Sequence, residues 1–509
     1  MKSMIRTMAG VLLLLHAGAM YAQAQTRERP ERAARSSHDN FYWLGEINKT
    51  STVMVTEQGI VPKALAATIA RGVAHVIEDG KKPGAPRPGD YLQYEPLIIA
   101  YAGPDATRMH SGRSRQDILA TTRRAMLRER VLDLADAMDA ARGKLLDLAG
   151  KNLNTIVPAY TNGVQAQPTT YAHYLGAFAA AFERDAERLR QAYARLNLCP
   201  LGAAALGTSS FAVNRPRLAE LLGFDGVVQN SYDAAQLSTI DIGAELVSLA
   251  GNSALTIGAF VQDIHTQYHQ TSPWLLLQEG ELTGTSSIMP QKRNPYGLNT
   301  LRLQASAVVG AATTYMIEAH NVPPGMPDYK REQSQKTVED AVLMFRQLGQ
   351  LLDSLVVNAP RALAEVNADY STTTELADVL QREADVPFRI GHHFASELVN
   401  FCRGNGLKPA EIRFRDVVRI YAEAGALYGQ AGAKFPLTEK RFRESLSPEG
   451  MIAASKGLGG PQLSEVQRML AEANRQLAGD GGWTRAARKR QTDSQANLDK
   501  AFSELMASQ

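Results

Sequence analysis

Five stretches of this chain carry an unbroken helical period far longer than a globular helix usually sustains. Residues 116–149 set Ile118, Met126, Val131, Leu134, Met138 and Leu145 on one broad stripe. Residues 170–196 repeat Tyr174, Ala177, Phe178, Ala181, Phe182 and Leu189 every three to four positions. Residues 240–271, 297–320 and 337–357 follow the same rule, the fourth being rich in alanine. A globular helix averages about 11–12 residues. Helices of twice that length bury their stripes best against one another, and these stripes are wider than a coiled-coil seam. Strand-like alternation is scarce. The expected class is therefore all-α, built on a long central five-helix bundle.

The flanks differ in texture. Residues 25–40 are polar and basic, with Arg27, Arg29, Arg32 and Arg35, and read as a flexible arm. Helical patterning starts near Val61, covers 64–77, and is broken by Pro83, Pro86 and Pro88. Beyond Asp378 the helices shorten, with punctuation at Gly404, Gly406, Pro409 and 457–461; the basic tail from Gly479 is either a final helix or a loose end. The expected units are an N-terminal helical domain with its arm (25–115), the central bundle (116–372) and a small C-terminal helical domain (373–509).

Residues 1–24 have the make-up of a secretory signal: basic Lys2 and Arg6, an apolar centre at Leu12 to Leu15, and the small-x-small Ala22-Gln23-Ala24. No later stretch of about 18 apolar residues is expected, so no membrane contact follows removal of the signal. The whole chain has a net charge of +3, which gives no reason to expect nucleic acid. Cys199 and Cys402 are too few for a disulfide scaffold or a cysteine-only metal site.

The chemistry concentrates in Gly284-Thr285-Ser286-Ser287-Ile288-Met289-Pro290-Gln291-Lys292-Arg293-Asn294-Pro295, a loop leading into the fourth long helix. Hydroxyls, backbone N–H groups, one ammonium and one amide gather near a helix start, where anions are favoured. Such a set suits a carboxylate that gains charge in a transition state. Ordinary helix capping explains the hydroxyls equally well. Gly280 and Gly284 suggest a loop that can move.

This stretch resembles the signature of the fumarase/aspartase superfamily, Gly-Ser-Ser-x-Met-Pro-x-Lys-x-Asn-Pro, with Thr285 inserted after Gly284. Within that superfamily, His110-Ser111-Gly112-Arg113-Ser114-Arg115-Gln116-Asp117 is similar to a block of the argininosuccinate lyase branch. So are Gln165-Ala166-Gln167-Pro168, Ala172-His173-Tyr174-Leu175, and Leu221 to Gly226 with Asn230-Ser231. The resemblance runs from about 90 to 370. It implies three mostly helical domains and a homotetramer whose central bundles pack together, each active site drawing on three subunits. It also implies reversible β-elimination of fumarate from a succinyl compound, with a small dicarboxylate as substrate and neither cofactor nor metal.

Carried over by motif, Ser286 is the base that removes the proton beside a carboxylate, with Ser287 next to it. Lys292 and Asn294 stabilise the resulting aci-carboxylate. Arg113, Ser114 and Arg115, with Gln116, match the substrate-holding block, and Thr161 matches a substrate contact. The branch has Thr-His where this chain has Thr161-Asn162, and a glutamate where it has Asn299. An Asn–Asn pair cannot titrate near neutrality. The proton for the leaving group then has Tyr160, Thr161 or water as candidates, ahead of His110 and His173. Gln116 stands in place of Asn, and Gln236-Leu237-Ser238-Thr239 in place of Ser-Asp-Arg-Asp. Met326, Arg331 and Ser334 occupy the loop that grips the amine end.

The fumarate-forming half is thus kept and the amine-side half is altered. A periplasmic or secreted enzyme would also meet little argininosuccinate. A related N-succinyl amine or aminopolycarboxylate is the better expectation. Another lyase or a cycloisomerase of the superfamily, or a silent binding homologue, are the alternatives. Expression in a secreting host should give a mature protein beginning at Gln25, as read by N-terminal sequencing; a chain still beginning at Met1 would contradict the signal.

Overall fold

The computed structural model describes residues 38–326, 333–429 and 432–507. The arm before His38, the signal segment and Arg331 lie outside the described residues. The N-terminal unit starts with α1 (Asn40–Glu57), α2 (Lys63–Asp79) and α3 (Tyr91–Ala102). Asp39 and Asp90 open the first and third. Their carboxylates accept the N–H of Tyr42 and Leu92, each at 2.9 Å, and so satisfy donors that a first turn leaves unpaired.

The bundle consists of α4 (Arg115–Lys151), α5 (Tyr171–Leu196), α7 (Ser238–Gln267), α8 (Tyr296–Ala319) and α9 (Gln333–Asp353), with the short α6 (Arg215–Leu221) lying outside it. The five alternate in direction. At one end Arg124 of α4 donates to the carbonyls of Arg195, Leu196 and Ser238, and the Tyr315 hydroxyl donates to Ile240 O at 3.0 Å. At the other end Tyr174 donates to Asp263, and Lys144 pairs with Asp353. The first, second and fourth expected helices are found within a few residues of the expected ends.

Two expectations need correction. Residues 337–357 do not form one helix: α9 stops at Asp353, and Leu355–Val357 becomes strand β8. It pairs antiparallel with β5 (Leu275–Leu277), where β-branched Val356 and Val357 suit extended backbone. Nor is the chain free of long apolar stretches, because the segment 233–267 is long and apolar enough to cross a membrane by composition. Half of its most apolar window is buried, and Leu246, Ala250, Ile257, Val261 and Ile264 belong to the bundle core.

Among the described residues, three large hydrophobic clusters organise the molecule. One is the bundle core. The second joins α1–α3 to Ile118 and Ala125 of α4 and to Leu218–Leu222. The third covers α11 (Thr373–Ala384), α12 (Phe388–Gly404), α13 (Phe414–Gly425) and α14 (Glu439–Ser445), around Phe394, Tyr421, Phe435 and Phe442. The basic tail belongs to a 45-residue final helix, Leu463–Ala507. Val466, Leu470 and Ala487 enter the bundle core, and Leu498 and Phe502 enter the N-terminal cluster. Cys199 and Cys402 are buried, free thiols in different clusters.

Where the final helix crosses α4 and α5, charge is buried. Arg142, 1% exposed, donates to Asp480 at 2.6 Å, and Arg190 donates to the other Asp480 oxygen at 2.9 Å. Glu183 faces Arg142, and Asp136 bonds Arg488. Burial pushes the neighbouring Asp139 carboxyl up to about 7; Asp480 and Asp136 add to the rise and Arg142 opposes it. A carboxyl raised by folding stabilises the fold while protonated, fully below its unfolded value near 4. That contribution is lost as pH rises through about 7. Asp139→Asn should flatten the fall in thermal-unfolding midpoint between pH 5 and 8 and make the variant the more stable form at pH 8. Parallel wild-type and variant profiles would contradict this.

Candidate functional site

The signature segment is a hairpin. Gly284 pairs with Asn294 and Thr285 with Arg293, as strands β6 (Gly284–Thr285) and β7 (Arg293–Asn294). Helix α8 begins only after it, with Pro295 at its cap and no side-chain cap bond. The expected loop at a helix start is therefore corrected to a hairpin that stands ahead of the helix, and its hydroxyls do not cap α8. Gly284 serves close approach rather than motion. A Cβ there would lie 2.1 Å from the Tyr296 ring.

At the tip, half-buried Ser286 has its Oγ facing the N–H groups of Met289 (3.1 Å) and Ile288 (3.4 Å), which donate to it. Two amide dipoles aimed at one oxygen favour the alkoxide over the alcohol, the requirement for a serine base. Ser287 and Lys292 are exposed beside it. Arg293 pairs with Glu279 at 2.9 Å and donates to Pro290 O at 2.9 Å, bracing the tip. The Asn294 amide reaches Thr285 O across the hairpin at 3.5 Å.

Thr161 and Asn162 sit at the tip of a second hairpin, β1 (Ile156–Thr161) with β2 (Val164–Thr170). Thr161 faces Val164 across a two-residue turn in which Asn162 has φ 53° and Gly163 φ 77°. Positive φ at both central positions defines the turn type that Asn-Gly favours. The local backbone thus accounts for asparagine at position 162. Asn299, its expected partner, lies in the first turn of α8.

The block at 110–117 divides into internal and outward groups. Arg113, expected to hold substrate, is 6% exposed. It donates to Asn48 Oδ1 (3.0 Å), Ser51 Oγ (2.9 Å) and the Tyr91 hydroxyl (3.1 Å), tying α1 and α3 to the start of α4. Ser114 is the N-cap of α4, in a capping box with Asp117. Asp117 also accepts the N–H of Gly202 and Ala204. Burial pushes its carboxyl up to about 6 against those three bonds and Arg113. Arg115 is exposed and paired with Asp90, and Gln116 follows it on the first turn of α4. His110 is stacked on Tyr91; burial and then Arg113 push it down to about 4. His173 is held between Thr169 and the Gly459 carbonyl, each at 2.9 Å.

One chain does not bring these groups together. Helix α4 has 37 residues and is about 55 Å long, with Arg115 at its start and the β1–β2 hairpin following its far end. The signature hairpin, at the start of α8, shares the Thr161 end of the bundle. Two of the three segments therefore lie at one end and Arg115 and Gln116 at the other. The Tyr160–Glu365 contact gave no sequence signal, because its partners are some 200 positions apart in the chain. Asp90 was equally silent, being just one more helix cap.

Residues 98–310 match the family model described as lyase, and residues 370–453 match the one described as argininosuccinate lyase C-terminal. The argininosuccinate lyase of Methanosarcina acetivorans is 33% identical over 440 residues, spanning 85% of this chain and 86% of that protein. The chain belongs to the argininosuccinate lyase family. Argininosuccinate lyase 1 of Shouchella clausii is 31% identical over 87% of this chain and 88% of its own length. EDDS lyase in complex with formate has a TM-score of 0.82 at 28% identity, covering 92% of each chain. The family likeness thus reaches residue 453, beyond the blocks legible in the sequence.

For these residues the structure predicts stability effects. Arg113→Ala should cost about 2–4 kcal/mol, since it removes a buried guanidinium's hydrogen bonds to Asn48, Ser51 and Tyr91 and leaves Asn48 Oδ1 unpaired. Ser114→Ala should cost about 1 kcal/mol. Urea unfolding checks both; an unchanged midpoint for Arg113→Ala would mean that its charge is not part of the framework.

Proposed function

We propose that this protein is an argininosuccinate-lyase-like carbon–nitrogen lyase that releases fumarate from argininosuccinate or a related N-succinyl amine. The observation that carries the reading is the intact signature hairpin, with two backbone N–H groups directed at Ser286 Oγ. The Ser286 alkoxide takes the proton from the carbon beside the carboxylate. The electron pair moves into that carboxylate, and Lys292 and Asn294 stabilise the charge. The carbon–nitrogen bond then breaks: the double bond of fumarate forms, and nitrogen leaves with its electron pair and one proton.

The donor of that proton is narrowed by its surroundings. The Tyr160 hydroxyl donates to Glu365, and burial and that carboxylate push the phenol well above its ordinary range. Neutral His110 carries no spare proton at neutral pH. His173 is engaged at both ring nitrogens by Thr169 and the Gly459 carbonyl, so Thr161 or a water is left.

The homotetramer is proposed from the family resemblance, and the geometry of one chain is in keeping with it. The separation along α4 supports a reading in which another copy supplies Arg115 and Gln116 to the end holding Ser286 and Thr161. The bundle offers a face for this: Leu255 of α7 is 62% exposed, and Leu303 and Ile317 of α8 are 72% and 71% exposed. Burying such side chains contributes roughly 25 cal/mol per Å² of apolar surface. Export to the periplasm or medium is proposed from residues 1–24 alone. The likeness to EDDS lyase supports an aminopolycarboxylate as the amine-side substrate, in line with the altered loop around Met326 and Arg331.

Fumarate mixed with arginine and a panel of other amines should lose absorbance with one partner, and EDDS or argininosuccinate supplied alone should release it. Ser286→Ala should lower that turnover at least roughly a thousandfold while the oligomer elutes unchanged. Full activity in Ser286→Ala would remove the proposed base. No turnover of any partner by the assembled wild type would favour a silent homologue.

A further inference from the structure

The β1–β2 hairpin is held to the bundle by more than its own ladder. Its two strands are fastened separately to one segment, the helix α10 (Ala359–Val366) and the residues that follow. On β1, the Tyr160 hydroxyl donates to Glu365 Oε1. On β2, Gln165 Nε2 donates to Val366 O at 3.2 Å and to Ser371 Oγ at 2.9 Å. Glu365 is itself fixed, because Arg361 lies 3.1 Å from its second oxygen and donates through Nε to Ser272 O at 2.7 Å. The chain thus runs from the residue before Thr161, through Glu365 and Arg361, to the loop between α7 and β5.

Two features make this attachment matter. The ladder is irregular at this point, with a register shift between Ala159 and Tyr160. A bulge weakens pairing and re-aims the strand. Behind β1 there is also a cavity of about 170 Å³, lined by Tyr160, Tyr174, Asp263, Gln267 and Trp274. Close packing therefore does not fix Tyr160 from that side, and strand β1 has room to settle inward.

We infer that Tyr160 and Glu365 form a clamp that positions the Thr161 and Asn162 turn for catalysis, with Tyr160 as a positioning residue and not the acid. The inference rests on the lyase reading above. The clamp holds one edge of the site at a fixed height over the bundle end. Substrate-contacting atoms displaced by an ångström lose much of their effect on rate.

The test combines kinetics with hydrogen exchange on the full-length assembled protein. Glu365→Ala and Tyr160→Phe should each lower kcat by roughly ten- to a hundredfold with KM within about twofold. The double variant should be no worse than either single one, because both break the same bond. Glu365→Gln keeps an acceptor for the phenol and should recover most of the rate. In Glu365→Ala, backbone amides of 158–166 should exchange faster while those of α4 and α5 stay as in wild type. That exchange readout needs no substrate, so it stands even if the enzyme turns over none of the amines tried. Unchanged hairpin exchange would overturn the clamp. So would additive losses in the double variant, or an inactive Glu365→Gln with wild-type exchange, which would assign the carboxylate a direct chemical role.

Discussion

Helix α4 sets the geometry on which the rest depends. Its 37 residues form a strut of about 55 Å, with one end inside the N-terminal cluster and the other feeding the Thr161 hairpin. Its length is tolerable because α5, α9, the final helix and, near its start, α1 cover it. Buried arginines fasten it at intervals. Arg124 holds the carbonyls closing α5, and Arg128 the carbonyls of Leu222 and Gly223, with Phe224 stacked at 4.2 Å. Arg142 grips Asp480. A strut this long fixes the distance between the Arg115 segment and the Thr161 hairpin.

The site itself is made from short, locally determined pieces. Two hairpins at one bundle end and a helix start at the other each owe their shape to a few residues: Asn162 and Gly163 in a left-handed turn, Gly284 against Tyr296, Ser114 and Asp117 as reciprocal caps. The long helices supply distance and the hairpins carry the candidate residues. The buried Arg113 illustrates the division. A residue inside a catalytic motif can be there to build the scaffold, leaving its neighbour Arg115 to face outward.

The final helix is the element that unifies the units. It enters the bundle core with Val466 and Leu470 and the N-terminal cluster with Leu498 and Phe502. Its polar, glycine-containing sequence around Asp480 gives a weak amphipathic signal, because at that crossing charge pairs replace apolar packing. Helix-forming tendency alone did not distinguish it from a loose end.

By itself the sequence determined the all-α class, the long helices of the bundle and the signature segment, because each is written in local periodicity or in contiguous residues. The candidates Thr161, Ser286, Lys292 and Asn294 lie in such contiguous segments. Tertiary structure decided what depends on partners far apart in the chain. Val356 and Val357 extend because Leu275–Leu277 lies alongside. Arg113 turns inward because Asn48, Ser51 and Tyr91 surround it. The Tyr160 hydroxyl is engaged because Glu365 has folded against it. Periodicity records which face of a helix is apolar; only packing decides which polar atoms meet across hundreds of residues.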